Sequence, residues 1–321
     1  MKAATAIRGA LVDRTWQTLG IAFIILAFVR APMPDESCEP RYFDYQKLTW
    51  RGNADAVIVG DSRALVGLSP GIMSKEIEGI RIRNFAFGAA GYSADYLEAA
   101  ETVLDHRSPR KMLILGITPR SLRDVSVKMN QFISCSQSMS IPACCKSRWL
   151  GWVKFVWPPL DRPTFEQIFL GREQKYAKAI RHDDGWSDPQ AQHIDYSEAI
   201  TTYRQWQRDP ISEVITNRVL SKVQDWTGRG IHVYGFRPPT CPEMEEVEDD
   251  FDELTFVKAF QDAGGVWLSP SQKDLKTFDA SHLDAQSARL YSTRVAHSIE
   301  MIERKVAERP ASRLDATSRR Y

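Results

Sequence analysis

Short, wholly apolar runs alternate along this chain with longer stretches of helical spacing. Asp55–Asp61 (DAVIVGD) is apolar between turn-forming ends and predicts a strand buried on both faces. Ile80–Phe87 and Lys111–Ile117 predict a second and third strand, Ile231–Phe236 a fourth and Val266–Leu268 a short fifth. Between and after them, Ala94–His106, Ile211–Thr227, Phe251–Ala263 and Ala285–Val306 place apolar residues at helical intervals, and Gly228, Gly230 and Gly264-Gly265 end two of these helices. Such alternation predicts an α/β domain with one open, mainly parallel sheet and helices on both faces. Sites in these sheets form beyond the carboxyl ends of the strands. Ser62 follows the first strand there, Thr118 the third and Arg237 the fourth.

The rhythm breaks in three places. Residues 118–210 read as irregular, with Trp149, Trp152, Trp157, Trp186 and Trp206 among Pro and Cys. They form an expected insertion that packs over the sheet edge or builds a substrate groove. Residues 31–54 are polar and Pro-containing and read as a linker; 307–321 read as a flexible polar tail. Thr15–Val29 carries no charge, with Lys2, Arg8 and Arg14 before it and Arg30 after it. The run is short for a span of about 20 residues, and its flanking arginines can snorkel to extend it. No small-x-small cleavage site follows, so residues 1–30 predict an uncleaved signal anchor, a single transmembrane helix. The basic start puts the N-terminus in the cytoplasm and everything after Arg30 outside.

Composition narrows the classes. The chain has 321 residues, 43% hydrophobic and 26% charged, as folded proteins do. Its net charge of +1 gives no reason to expect a nucleic acid partner. Among Cys38, Cys135, Cys144, Cys145 and Cys241, a bridge from Cys135 to Cys144 or Cys145 would close a small loop, and the odd count leaves a thiol over. No Cys/His cluster has zinc spacing, so neither a metal nor another cofactor is expected.

Two distant motifs carry the chemistry. Gly60-Asp61-Ser62 closes the first predicted strand, and Asp279-Ala280-Ser281-His282 precedes the last helix. Either alone has an ordinary use: Ser62 as a helix cap, His282 as one of six histidines. Together they supply a nucleophile, a base and a carboxylate three residues from the base that can hold its tautomer. Other candidates read as ordinary. His232 lies in a strand and reads as core, His182 and His193 as loop surface, and the acidic run Glu243–Glu253 as a solvated face.

With a GDS block after the first strand and a DxxH block near the C-terminus, the chain resembles the SGNH (GDSL-type) hydrolase superfamily over roughly residues 55–306. The resemblance implies a flavodoxin-like three-layer sandwich, with Ser62 as nucleophile, His282 as general base and Asp279 as its orienting partner. It also implies an oxyanion hole made of the Ser62 N–H, a glycine N–H after the second strand (Gly88 or Gly91) and an Asn after the third. That last position reads Gly116-Ile-Thr118-Pro-Arg120, so Thr118 or Arg120 replaces the Asn or the hole has two donors; a solvated Arg120 is an equal alternative. The anchor and altered third block resemble the membrane-anchored SGNH-like proteins that accompany membrane-bound O-acyltransferases. The expected function is therefore acyl transfer, most simply acetylation, to a cell-surface polysaccharide through acyl-Ser62, with a multi-span acyltransferase as a candidate partner. An esterase using water, and a non-catalytic glycan-binding scaffold, are the alternatives.

Overall fold

The apolar runs become the strands of one sheet. The computed structural model describes residues 15–22, 40–156, 179–190 and 195–307. Its strands are β1 (Ala56–Gly60), β2 (Ile82–Asn84), β3 (Met112–Gly116), β4 (Ala179–Arg181), β5 (Ser187–Pro189), β6 (His232–Phe236) and β7 (Val266–Leu268). β4 and β5 form a separate antiparallel hairpin; the other five lie in the order β2-β1-β3-β6-β7, all parallel. The order reverses between β1 and β3, the kind of switch point where α/β sheets open a crevice. Gly60, Gly116 and Phe236 are register partners, so β1, β3 and β6 end level at the carboxyl edge.

Every residue of β1 and β3 is buried, which is why these strands read as continuous apolar runs. Their side chains alternate between two cores. Val57, Val59, Leu113 and Leu115 meet the helices Ala94–Val103, Glu213–Gly228 and Glu253–Asp262. Ala56, Ile58, Met112 and Ile114 meet Ala64, Met73 and Ile77 together with Tyr291, Val295 and Ile299 of the helix Ala285–Ala307. The result is three layers, helix–sheet–helix.

Four expectations change. The 118–210 segment is ordered where described: a short turn of helix at Arg120–Leu122, then Asp124–Lys128, Gln131–Ser138, Ile141–Val156, the β4–β5 hairpin and Tyr196–Trp206. Part of the expected linker is a helix, Pro40–Leu48, with Phe43, Tyr45 and Lys47 buried. His232 is exposed at the start of β6, with Nδ1 2.6 Å from Glu303, because its side chain emerges where the strand enters the sheet. No disulfide joins Cys135, Cys144, Cys145 and Cys241; Cys144 and Cys145 are neighbours on one helix, and Cys135 points its sulfur at Asp44.

Residues 15–22 are helical, with Trp16, Leu19 and Ile21 exposed. Among the described residues no helix is long and apolar enough to cross a membrane. The remainder of the expected anchor (1–14 and 23–30), Cys38, Trp157, His193 and the tail from 308 lie outside the described residues.

Candidate active site

Ser62 is the first residue of the helix Ser62–Gly67, directly after β1. The turn is tight because two glycines let the helix close on the strand ends. A Cβ on Gly60 would stand 2.8 Å from the Ala64 Cβ and 3.0 Å from the Gly116 carbonyl oxygen, and one on Gly116 would stand 2.9 Å from the same Ala64 atom. Asp61 caps the helix by accepting the Arg63 N–H at 2.9 Å, and its second oxygen accepts the Thr118 hydroxyl at 2.6 Å. Two tyrosines fasten the strand ends. The Tyr96 hydroxyl donates to the Gly60 carbonyl at 2.8 Å and accepts the Gly60 N–H at 3.0 Å; the Tyr92 hydroxyl donates to the Gly116 carbonyl at 2.9 Å. Asn84, at the end of β2 and wholly buried, donates to the Ala64 and Leu68 carbonyls at the far end of the short helix.

The second motif folds on itself. The Asp279 Oδ1 accepts the N–H groups of Ser281 (3.1 Å) and His282 (2.8 Å), Phe278 N–H donates to the His282 carbonyl, and Thr277 bridges Leu283. Ala280 takes φ +68°, a left-handed conformation unusual for a residue with a Cβ. Its carbonyl accepts the Cys241 N–H at 3.0 Å, which anchors the loop to the turn after β6. The Phe278 ring stacks on the His282 imidazole.

The structure brings the two motifs together. His282 Nε2 lies 2.8 Å from Ser62 Oγ, and His282 Nδ1 lies 2.7 Å from Asp279 Oδ2. The contacts span 220 residues and join the three side chains that sequence reasoning selected. Burial works to raise the Asp279 pKa, but the imidazole and the two backbone N–H groups outweigh it and leave the carboxyl below its ordinary value. Asp279 therefore stays ionised, as a group that orients an imidazolium must. The His282 and Asp279 side chains are 17% and 19% exposed, so a reactant can reach the array from solvent.

A buried charge network runs behind it. Arg63, next to Ser62, pairs with Glu248 through both nitrogens, at 2.7 and 3.1 Å, and its Nε donates to the Ser281 hydroxyl, next to His282, at 2.9 Å. Ser281 in turn donates to the Tyr203 hydroxyl at 2.6 Å, and Arg237 reaches both Glu248 and Glu253. Burial opposes the charge on Arg63, and Glu248 more than restores it, so its pKa lies above the ordinary arginine value. Arg63, held by Glu248, thus ties the residue after Ser62 to the residue before His282. Glu248 belongs to the acidic run read as a solvated face, yet it is 1% exposed. Its neighbours in sequence give no sign of this, because the partner stands 185 residues away.

The four other oxyanion-hole candidates separate. The N–H groups of Ser62 and Gly88 have no acceptor among the described residues, and Phe87 N–H donates to the Gly60 carbonyl, which brings the Gly88 loop beside the turn that carries Ser62. Gly91 does not serve: its N–H donates to the Ser126 carbonyl at 3.2 Å. Neither does Thr118, whose hydroxyl goes to Asp61 and whose N–H goes to Ser121 Oγ. Arg120 is not a solvated charge. It is 6% exposed, lies flat on the Trp206 ring, and burial pulls its pKa below the ordinary arginine value against the pull of Tyr203 and Asp61.

Among the described residues, no group of His, Cys, Asp and Glu is placed to hold a metal ion. No protein-family model matches the chain, and no curated protein matches it.

Proposed function

We propose that the protein is a serine-dependent acyltransferase of the SGNH hydrolase-like kind, working outside the cytoplasm on hydroxyl groups of a cell-surface glycan. The observation that carries this reading is the unbroken array from Ser62 Oγ through His282 to Asp279, at 2.8 and 2.7 Å. A module that only bound glycan would have no use for it. The strand order, with the nucleophile's turn at the switch point, and the resemblance of the two blocks also support it. The uncharged run from Thr15 to Val29 supports an anchored protein, with a multi-span acyltransferase as donor partner.

In the first half-reaction, His282 Nε2 takes the Ser62 proton as Oγ attacks the carbonyl carbon of an ester donor. The Ser62 and Gly88 N–H groups receive the charge that develops on the carbonyl oxygen; losing one such donor typically costs about 2.7–4 kcal/mol. Collapse breaks the donor's C–O bond, and the leaving oxygen takes the proton from His282. In the second half-reaction, His282 takes the proton of the acceptor hydroxyl, whose oxygen attacks acyl-Ser62, and returns that proton to Ser62 Oγ. Asp279 holds the imidazole and balances its positive charge in both. The solvent reach of His282 favours a second reading in which water is the acceptor and the protein is an esterase.

A fluorophosphonate probe tests the serine chemistry. Wild type should label at Ser62, and folded Ser62→Ala and His282→Ala should not. A folded wild type that takes no label refutes both enzymatic readings. Aryl acetate turnover with and without added polysaccharide separates transfer from hydrolysis: acyl groups appearing on the polymer support transfer, and release unaffected by polymer supports the esterase.

A further inference from the structure

Three arginines are deeply buried among the described residues: Arg63, Arg120 and Arg123. Two have carboxylate partners, Arg63 with Glu248 and Arg123 with Asp250, each at 2.7 Å. The Arg120 guanidinium has no hydrogen bond or ion pair to any described residue, and its Nη1 is fully enclosed without an acceptor. A guanidinium taken out of water is costly to leave unpaired, and its planar fork matches two oxygens of one acceptor.

The surroundings say where that acceptor belongs. The guanidinium carbon lies 3.4 Å from the centre of the Trp206 ring and 5.9 Å from that of Tyr203. The indole covers one face of the guanidinium. The Tyr203 hydroxyl holds Ser281, the neighbour of His282, and Thr118, two residues before Arg120, holds Asp61, the neighbour of Ser62. Arg120 therefore stands in the wall shared by both arms of the triad. β1 lies between β2 and β3, so Gly88 flanks the nucleophile's turn on the β2 side and Arg120 on the β3 side. The oxyanion donors are on the Gly88 side, and the charge of Arg120 is left for a different group. Asp61, the carboxylate that acts on its charge, has one oxygen taken by the Arg63 N–H and the other by the Thr118 hydroxyl.

We propose that Arg120, seated on Trp206, binds a carboxylate carried by the substrate beside its reacting group, so that the site selects acidic sugars over neutral ones. This inference rests on the acyl-transfer reading for the purpose of the subsite, though not for the binding itself.

Calorimetric titration of the full-length protein at fixed ionic strength tests it, with sodium glucuronate, glucose and glucose 6-phosphate as probes. Glucuronate should bind tighter than glucose by roughly tenfold or more, the worth of one charge-assisted hydrogen bond. Arg120→Gln should abolish that preference, and Arg120→Lys, which keeps the charge and loses the fork, should lose most of it. Equal binding of glucuronate and glucose by wild type, tighter binding of glucose 6-phosphate, or a preference that survives in folded Arg120→Gln would each overturn the proposal. Fluorophosphonate labelling of the same samples keeps the two readings apart. Preferential, Arg120-dependent binding without labelling would leave the subsite standing and remove the serine chemistry; labelling without preferential binding would do the reverse.

Discussion

Asp279 carries more than a relay requires of it. One oxygen holds the His282 ring, and the other holds the backbone on which that ring is mounted, so one carboxylate sets both the tautomer and the position of the base. Asp279→Asn keeps the shape and loses the charge. It should cut turnover by on the order of 10⁴-fold, as such changes do in triads, with fluorophosphonate labelling slowed in step. Because its pKa is lowered in the fold, the stability that Asp279 contributes is full above the ordinary carboxylate range and is lost as pH falls through the lowered value. At this scale the meeting of Ser62, His282 and Asp279 was legible in sequence because these residues are concentrated in two short blocks. The fates of Gly91 and Thr118 were not, since what disqualifies them is a hydrogen bond to Ser126 in one case and to Asp61 in the other. Spacing along the chain carries no record of either.

Among the elements, the short helix after β1 and the Asp279–His282 loop have no covalent reason to stay in register. The Arg63–Glu248 pair and the Ser281 hydroxyl give them one. Breaking a buried pair strands a charge, so Glu248→Ala should cost about 3–5 kcal/mol, read from the urea midpoint. The double replacement Arg63→Met with Glu248→Leu removes the stranded charge and should regain most of that stability. It also releases Ser281, so labelling of Ser62 should remain slower by on the order of 10²-fold; labelling at the wild-type rate would mean that the pair serves stability alone. The five strands of the parallel sheet were legible to within two residues at most ends because burial on both faces forces apolar runs, and β7 matched at both ends, whereas β4 and β5 lie in the segment read as irregular. β2 was overextended: Phe85 and Phe87 continue the apolar pattern, yet they sit in the loop and pack on Tyr96. The helices of the 118–210 segment escaped notice because Gln131–Ser138 and Ile141–Val156 pack on the Pro40–Leu48 helix and Tyr196–Trp206 on the Pro242–Val247 helix, not along a strand, and so lack the stripe that the sheet imposes.

Taken whole, the molecule is closed at one end by a segment that reads as a linker. The Pro40–Leu48 helix brings Lys47 into complete burial, where its ammonium donates to the Ala86 carbonyl at 2.7 Å and faces the Phe43 and Phe87 rings. Burial pulls the Lys47 pKa down to about 7, against the opposing pull of Asp44 and Asp184. The unfolded chain therefore holds a proton between about pH 7 and 10 that the folded chain lacks, and stability contributed through Lys47 rises with pH across that window. Urea midpoints at pH 7 and pH 9 should show this rise in wild type and lose it in Lys47→Met. The sequence hid this because Lys47 stands in a polar stretch whose burial depends on a helix formed far from it in the chain, Gln131–Ser138.

The tyrosines at the carboxyl edge have a consequence in time. A strand end that opens into loops usually frays, and its amides exchange with solvent at a small fraction of the free energy of unfolding. Here the Gly60 amide is lodged on the Tyr96 hydroxyl, and Tyr96 belongs to a helix packed along the sheet. Gly60 can shed its proton only when that helix lifts, so the bend that carries Ser62 should be among the last parts of the protein to melt. In deuterated water the Gly60 amide should exchange as slowly as Val57 or Leu113 at mid-sheet. In Tyr96→Phe it should exchange early and alone while they keep their pace.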